Sequence, residues 1–400
     1  MSKQVLMVIS MMKGGGAERV ASLLMNEFHK NGYEIEFVLT SSSSNEVVRT
    51  DLIEEIPLVL LQDECKEEAA IIRVWAKGLR ICSSVVCRAF EAFKQPVPGY
   101  FAYLSFISQY GSGIKLLRQK MKDNPELTVI AFLQPSIPMT VLAGRGLPNK
   151  IIVSERGNPE RLMKKRYGEK FIKRYYEGVN TAVFQTMEAR ATYPECVREK
   201  GVVISNPIKS DLPEPFLGVR NKNITTFCRI SLQKNLPMLI QAFSMLHQEY
   251  PEYRLRIIGD ALDEEGIAVK KSIEQLIKEL KIEDSVDLLP FSANVHEEIV
   301  EDFMYVSSSD YEGISNAMLE AMAIGLPVVC TDCPIGGAHA TIQNEVNGML
   351  VPVGDSEAMY QAMKKVVEDK ELAKQLSSNG IKLREQLSLK NITKQWMDLI

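Results

Sequence analysis

Residues 5–39 read VLMVISMMKGGGAERVASLLMNEFHKNGYEIEFVL. The run Val5–Ser10 is short, apolar and β-branched, and it reaches the glycines Gly14, Gly15 and Gly16 quickly. Glu18–Lys30 places Val20, Leu23, Leu24 and Phe28 on one side of a helix, the spacing of an amphipathic element with one buried face. Gly32 closes that helix and Tyr33–Leu39 reads as the next strand. Strand, glycine loop, helix and strand in this order open a βαβ unit, whose parallel strands need a helical crossover.

Working outward, Gly99–Phe106, Thr128–Leu133, Lys150–Ser154, Ala182–Thr186 and Val202–Ile204 are further strand candidates. Ser205–Val219 carries Pro207, Pro213 and Pro215. Prolines remove backbone donors and restrict their predecessors, so this segment reads as a linker. The alternation then restarts, with strands at Asn223–Cys228, Arg254–Ile258, Val286–Leu289, Phe303–Val306 and Pro327–Cys330 and helices at Leu236–Glu249 and Glu264–Leu280. Two such arrays predict an α/β protein of two Rossmann-like, doubly wound domains facing a central cleft. The expected boundaries are 1–205, 206–386 and a packed C-terminal helix over 387–400, near the domain junction.

A chain of 400 residues, 46% hydrophobic and 24% charged, suits two globular domains and excludes low-complexity or fibrous classes. Residues 1–205 hold 28 basic and 22 acidic side chains, against 19 and 29 in residues 206–400. Either the two domains differ in surface composition, or the first faces something anionic such as a membrane. Lys115–Lys122 and Arg161–Tyr176 are basic stretches that fit the second reading, and a solvated helix surface fits the first. Nucleic-acid binding would call for a more basic chain. No apolar run is long enough to span a membrane, and the amino terminus lacks the basic start of a secretory leader. A cytoplasmic location, at the inner face of the cell membrane, is expected.

Glu312 and Glu320 carry the most specific chemistry. Ser315 or Asn316 is placed to cap a helix running through Glu320 to Ala323. Glu312 precedes the amino end of that helix, where backbone amides suit a phosphate. Carboxylates accept hydrogen bonds from sugar hydroxyls. From spacing alone, an ordinary turn glutamate and a solvated helix glutamate fit equally well.

The stretch SSDYEGISNAMLEAMAIGLPVV, residues 308–329, resembles the donor-site signature of retaining glycosyltransferases of the large GT4 group. Its hallmark is one Glu, seven intervening residues and a second Glu before G-x-P-V-V. The segment 227–243, FCRISLQKNLPMLIQAF, resembles the same family's arginine and lysine block, with Cys228 where glycine is usual. The resemblance implies a GT-B fold. It implies that Glu312 contacts the transferred sugar, that Glu320 binds the ribose, and that Arg229 and Lys234 neutralise the donor diphosphate. It further implies donor-site positions at Gly259 and Asp260, at Leu289 and Phe291, and at Gly313, Ile314 and Ser315. Gly15 and Gly16 would approach the diphosphate across the cleft, with Lys13 assisting.

On this resemblance the chain is expected to move a hexose or N-acetylhexosamine from a nucleotide diphosphate sugar, UDP-linked, to a lipid-linked oligosaccharide or related glycan. The nucleotide sugar is a substrate, so no cofactor is expected. Neither is a metal: the chain lacks an Asp-x-Asp signature, its four histidines show no ligand-like spacing, and Cys330 and Cys333 stand alone as a CxxC pair. Glu155 and Arg156, ending a strand, are candidates for acceptor contact or for a local ion pair. Two competitors share the motifs: a nucleotide-sugar epimerase or hydrolase, and a non-catalytic sugar-nucleotide-binding scaffold. A dehydrogenase is disfavoured because Gly14–Gly16 lacks the G-x-G-x-x-G spacing.

Overall fold

Parallel strands covered on both faces read as near-continuous apolar runs, and two parallel sheets, most apolar at their central strands, organise this chain. The computed structural model describes residues 3–12, 15–40, 51–64, 99–156 and 175–400. It divides into one unit of Met1–Ile204 with Thr393–Ile400, and a second of Ser205–Ile392.

The first unit holds β1 (Gln4–Ile9), β2 (Glu34–Leu39), β3 (Leu58–Leu60), β4 (Thr128–Phe132), β5 (Ile151–Ser154), β6 (Thr181–Phe184) and β7 (Gly201–Val203). They form one sheet in the order β3-β2-β1-β4-β5-β6-β7, every pairing parallel. Val5–Ile9 in β1 and all of β4 are buried, as a central parallel strand requires. Helix Gly16–Lys30 buries Val20, Leu24 and Phe28 against the sheet side.

One strand expectation fails. Gly99–Phe106 belongs to the 25-residue helix Gly99–Asp123. Phe106, Tyr110, Ile114, Leu117 and Met121 recur at steps of three or four and pack into the unit's core. An eight-residue window rich in aromatics satisfies β propensity without showing that longer period.

The second unit holds β8 (Asn223–Phe227), β9 (Arg254–Ile258), β10 (Val286–Leu289), β11 (Met304–Ser307), β12 (Val328–Thr331) and β13 (Met349–Val351). Their order is β10-β9-β8-β11-β12-β13, all parallel. Counted within the unit, this is the 3-2-1-4-5-6 arrangement of a doubly wound sheet. Neighbouring strand residues feed opposite layers: Ile257, Val306 and Val329 join one core, and Ile258, Tyr305, Val328 and Cys330 the other. The chain turns one way after β8 and the other way after β11. Their following loops therefore part at the carboxyl edge of the sheet, where ligands of such folds bind.

The proline-rich segment is no free tether. Ile208 and Leu212 are buried in the second unit's core, and the Asn206 side chain donates to the Ile314 carbonyl (3.0 Å) and to Asn316 (2.7 Å). Arg384 donates to the carbonyls of Leu212 and Pro213, the acceptors that the prolines leave without local donors. At the other end, helix Leu389–Met397 carries Trp396, fully buried and stacked on Phe132 of β4 at 5.6 Å. Among the described residues, no helix is long and apolar enough to cross a membrane.

Candidate active site

The loops leaving β8 and β11 are joined by a ladder of hydrogen bonds. After Phe227 the chain runs through Cys228 and Arg229 into a single 3-10 turn, Leu232–Lys234, and then Asn235. Asn235 takes a left-handed conformation, caps helix Leu236–Glu249 by accepting from Met238, and donates to Asp310 at 2.7 Å. The Gln233 side chain donates to the Tyr311 carbonyl (2.8 Å), the Asp310 amide to the Gln233 carbonyl (2.9 Å), and the Ser308 hydroxyl to the Lys234 carbonyl (2.8 Å).

This ladder sets Lys234 against Glu312 in a direct ion pair. The Ser309 hydroxyl lies 3.4 Å from the same Glu312 oxygen. Burial disfavours the ammonium, but the Glu312 carboxylate beside it outweighs burial and holds the Lys234 pKa above its ordinary value. Both side chains keep some access to solvent, 18% and 24%. Arg229 is exposed and forms no ion pair among the described residues, yet its charge bears on Lys234 and Cys228. The structure thus brings two cations and one carboxylate to the switch point of the second sheet.

Gly313, Ile314 and Ser315 follow directly. Ser315 caps helix Asn316–Ala323, its hydroxyl accepting from the Met318 amide at 3.3 Å. The loop after β12 supports this segment from behind. Thr331 and Cys333 both donate to the Ser309 carbonyl, at 2.6 and 3.0 Å. Burial pushes the Cys333 thiol up to about 11, which keeps it a hydrogen-bond donor at neutral pH. Gly337 lies so close to Gly313 that any Cβ there would collide with the Gly313 carbonyl.

Glu320 sits in the second turn of the same helix, 4% exposed, so it is not a solvated helix residue. Its Oε2 lies 2.8 Å from Nε2 of His296, also buried. No spacing signal in the sequence pointed to His296. It stands 24 residues before its partner, on the short helix Val295–Ile299. Gly259 and Asp260 end β9 and are held by backbone bonds: the Gly259 amide donates to Leu289 (2.9 Å), and Asp260 accepts from Ile230 (2.9 Å). Gly259 has φ +149°, and a Cβ there would strike the Cys228 carbonyl. Phe291, just beyond β10, is 70% exposed. Among the described residues no cluster of His, Cys, Asp or Glu could hold a metal ion.

Gly15 and Gly16 lie in the first unit. Gly15 precedes helix Gly16–Lys30, and its amide donates to the Glu18 carboxylate at 2.8 Å. Lys13 and Gly14 fall outside the described residues. Glu155 follows β5 and is buried, bonded by Tyr176, Tyr193 and Gln134. Arg156 stacks over Phe132 at 4.7 Å, and burial lowers its pKa to about 9. Arg156 Nε also donates to the Ser154 hydroxyl at 2.8 Å, so each of the two side chains has neighbours of its own. Of the basic stretches, Arg161–Tyr176 lies outside the described residues except for Tyr175 and Tyr176, which are buried. Within Lys115–Lys122, Lys120 pairs with Glu36 at 2.8 Å and Arg118 donates to the carbonyls of Ala143 and Arg145. That leaves Lys115 and Lys122 as the exposed cations of this stretch.

Comparison with known proteins bears on the same region. Residues 214–383 match the family model described as Glycosyl transferases group 1. An uncharacterized glycosyltransferase of Haemophilus influenzae is 29% identical over 206 residues, 50% of this chain and 54% of that one. The N-acetylgalactosamine-N,N'-diacetylbacillosaminyl-diphospho-undecaprenol 4-alpha-N-acetylgalactosaminyltransferase of Campylobacter jejuni is 32% identical over 158 residues, 40% of each. The matched stretches thus span about half the length of these relatives, or less. Among solved structures, Anabaena HepE in complex with UDP superposes with a TM-score of 0.74 at 18% identity, covering 99% of this chain and 98% of that one. The same protein has been solved with UDP-glucose. The chain therefore has the GT-B fold of two Rossmann-like units, and the stretch that matches the family model holds every strand of the second sheet and the Lys234–Glu312 pair.

Proposed function

We propose that this protein is a retaining glycosyltransferase that moves a hexose or N-acetylhexosamine from a UDP-linked sugar to a lipid-diphosphate-linked oligosaccharide or related glycan. The observation that carries this reading is the Lys234–Glu312 pair at the switch point of the second sheet, beside the amino end of helix Asn316–Ala323. Diphosphate oxygens suit a position among Arg229, Lys234 and the amide dipoles near Gly313–Ser315. Glu312 then takes sugar hydroxyls and Glu320 the ribose. Gly259, Asp260, Leu289 and Phe291 border the base.

In the transfer, the acceptor oxygen bonds to the anomeric carbon as the bond from that carbon to the phosphate oxygen breaks. The acceptor proton passes to the departing phosphate, and the two cations stabilise the charge that grows there. Attack from the leaving-group side keeps the anomeric configuration. The Campylobacter relative is named for an alpha linkage and an undecaprenol diphosphate carrier, which supports an acceptor of that class here. Such an acceptor places the reaction at the inner face of a membrane, a contact that sedimentation with anionic vesicles checks.

The deciding experiment incubates the protein with labelled nucleotide sugars and extracted lipid-linked acceptors. Transfer by the wild type, lost in the Glu312→Ala, Glu320→Ala double variant, is the expected result. Equal turnover by that variant overturns the site. Release of free sugar without any acceptor product would mark a hydrolase, and UDP binding with no turnover a scaffold.

A further inference from the structure

We infer that His296 is the positioning residue for Glu320 and sets the site's preference for a nucleotide with ribose hydroxyls. This rests on the reading of Glu320 as the ribose ligand. A glutamate has three side-chain torsions, and a buried carboxylate without a fixed partner is costly. His296 removes that freedom. Its Nε2 lies 2.8 Å from Glu320 Oε2, with both side chains almost wholly buried. With Glu320 as the carboxylate, the ring nitrogen carries the hydrogen and donates it.

The imidazole is itself held. Its ring meets Phe227 edge-on, at 5.4 Å and 82°, and Phe227 meets Tyr305 of β11 at 5.3 Å. Phe227 is the last residue of β8, immediately before the Cys228–Lys234 loop. His296 also stands five residues beyond Phe291, on the helix that follows the β10 loop. One side chain thus connects three parts of the proposed donor site: the loop at the base, the strand end before the cations, and the carboxylate at the ribose. A histidine that merely filled the core would need no hydrogen bond to an acid; an apolar side chain of similar size would serve.

The test is calorimetric titration of UDP and of 2′,3′-dideoxyuridine diphosphate into wild type, His296→Leu, His296→Asn and His296→Gln, with melting temperatures recorded for each. The wild type is expected to prefer UDP. In His296→Leu that preference shrinks roughly tenfold, the size of one lost charge-assisted hydrogen bond, while affinity for the dideoxy ligand holds. Gln carries its amide nitrogen near the Nε2 position and restores the preference; Asn falls short and does not. Should His296→Leu be too unstable to purify, the Asn and Gln pair carries the same comparison. An unchanged preference in His296→Leu or His296→Asn, or an equal loss for both ligands, overturns the inference. So does a wild type that binds UDP without preferring it, which leaves the donor reading standing. Failure of the wild type to bind UDP overturns the donor reading and this inference together.

Discussion

Each unit has a switch point where a glycine-bearing loop meets a helix, and the two helix ends are satisfied in different ways. In the second unit, helix Asn316–Ala323 is capped by the neutral hydroxyl of Ser315, and Lys234 and Arg229 stand close by. In the first, the amide of Gly15 is already bonded to the carboxylate of Glu18 from the first turn of its own helix. A carboxylate satisfies an orphan amide and complements the helix dipole. It also occupies the place that an anion would take. The helix after β11 therefore has a neutral cap beside two cations, and the helix after β1 has a self-satisfied end. Gly15, expected from the sequence to approach the diphosphate, thus has a carboxylate on its own amide.

Removing the cation should break the comparison most. Lys234→Ala is expected to lower kcat for transfer by roughly 10²–10³-fold, the usual scale for one preorganised charge at a developing anion. The matching change in the first unit, Glu18→Gln, should alter kcat by less than about threefold on the same argument. Steady-state kinetics on the two variants checks both. Comparable losses would show that the first helix end shares in the chemistry.

The second-largest effect is expected where the support is backbone rather than charge. Gly337→Ala forces a Cβ into the Gly313 carbonyl, so the loop carrying Glu312 must shift. A misplacement of about 1 Å costs on the order of 10²-fold in rate. A loss of about tenfold to a hundredfold in kcat/KM for the donor, with Lys234 and Glu312 intact, is the expected outcome. Kinetics unchanged by Gly337→Ala would show that the loop after β12 does not set the position of Glu312.

Much of the fold is legible in the sequence, for a physical reason. Arg254–Ile258, Val286–Leu289 and helix Leu236–Glu249 are readable to the residue because each is a run rich in apolar residues bounded by a turn or cap residue, Gly259, Pro290 and Asn235. The arginine–lysine block and the paired glutamates were also legible, because each lies in one loop or one helix. What escaped depends on contacts distant in sequence. His296 meets Glu320 only after two strands have folded between them in the sheet. Glu155 gains Tyr176 and Tyr193 from later segments. The Gly15–Glu18 bond is only half of a capping box, and glycine at its first position hides a pattern usually opened by Ser or Thr. Leu58–Leu60, a three-residue edge strand, and the burial of Ile208 and Leu212 beneath a proline-rich run carried no periodic signal at all.

A smaller effect concerns Glu18 itself. Glu18→Ala removes the Gly15–Glu18 hydrogen bond, at a cost of about 1 kcal/mol, and should lower the melting temperature by about 2–4 °C for a unit of this size. Donor KM should stay level or fall, because the helix end loses a negative charge. A tenfold rise in KM would instead make Glu18 part of the donor site.

The smallest effect separates a buried group of each unit by pH. Burial holds the Glu155 pKa above its ordinary value of 4.5, its bonds from Tyr176, Tyr193 and Gln134 opposing that only in part. The folded state therefore keeps a proton that the unfolded state gives up. Stability from this group is full below 4.5 and is lost as pH rises through the folded value. Glu155→Gln has no proton to lose, so its melting temperature relative to wild type should climb as pH rises from 4.5 and then level off. The Lys234 pKa is raised too, but its contribution is full below the ordinary lysine value of 10.5 and is lost only in more alkaline solution. A Lys234→Met variant should thus show a flat difference from wild type between pH 6 and pH 8, within about 1 °C. If the Glu155→Gln difference is flat over its range as well, burial does not raise the Glu155 pKa, and the two units no longer differ in where their buried charges titrate.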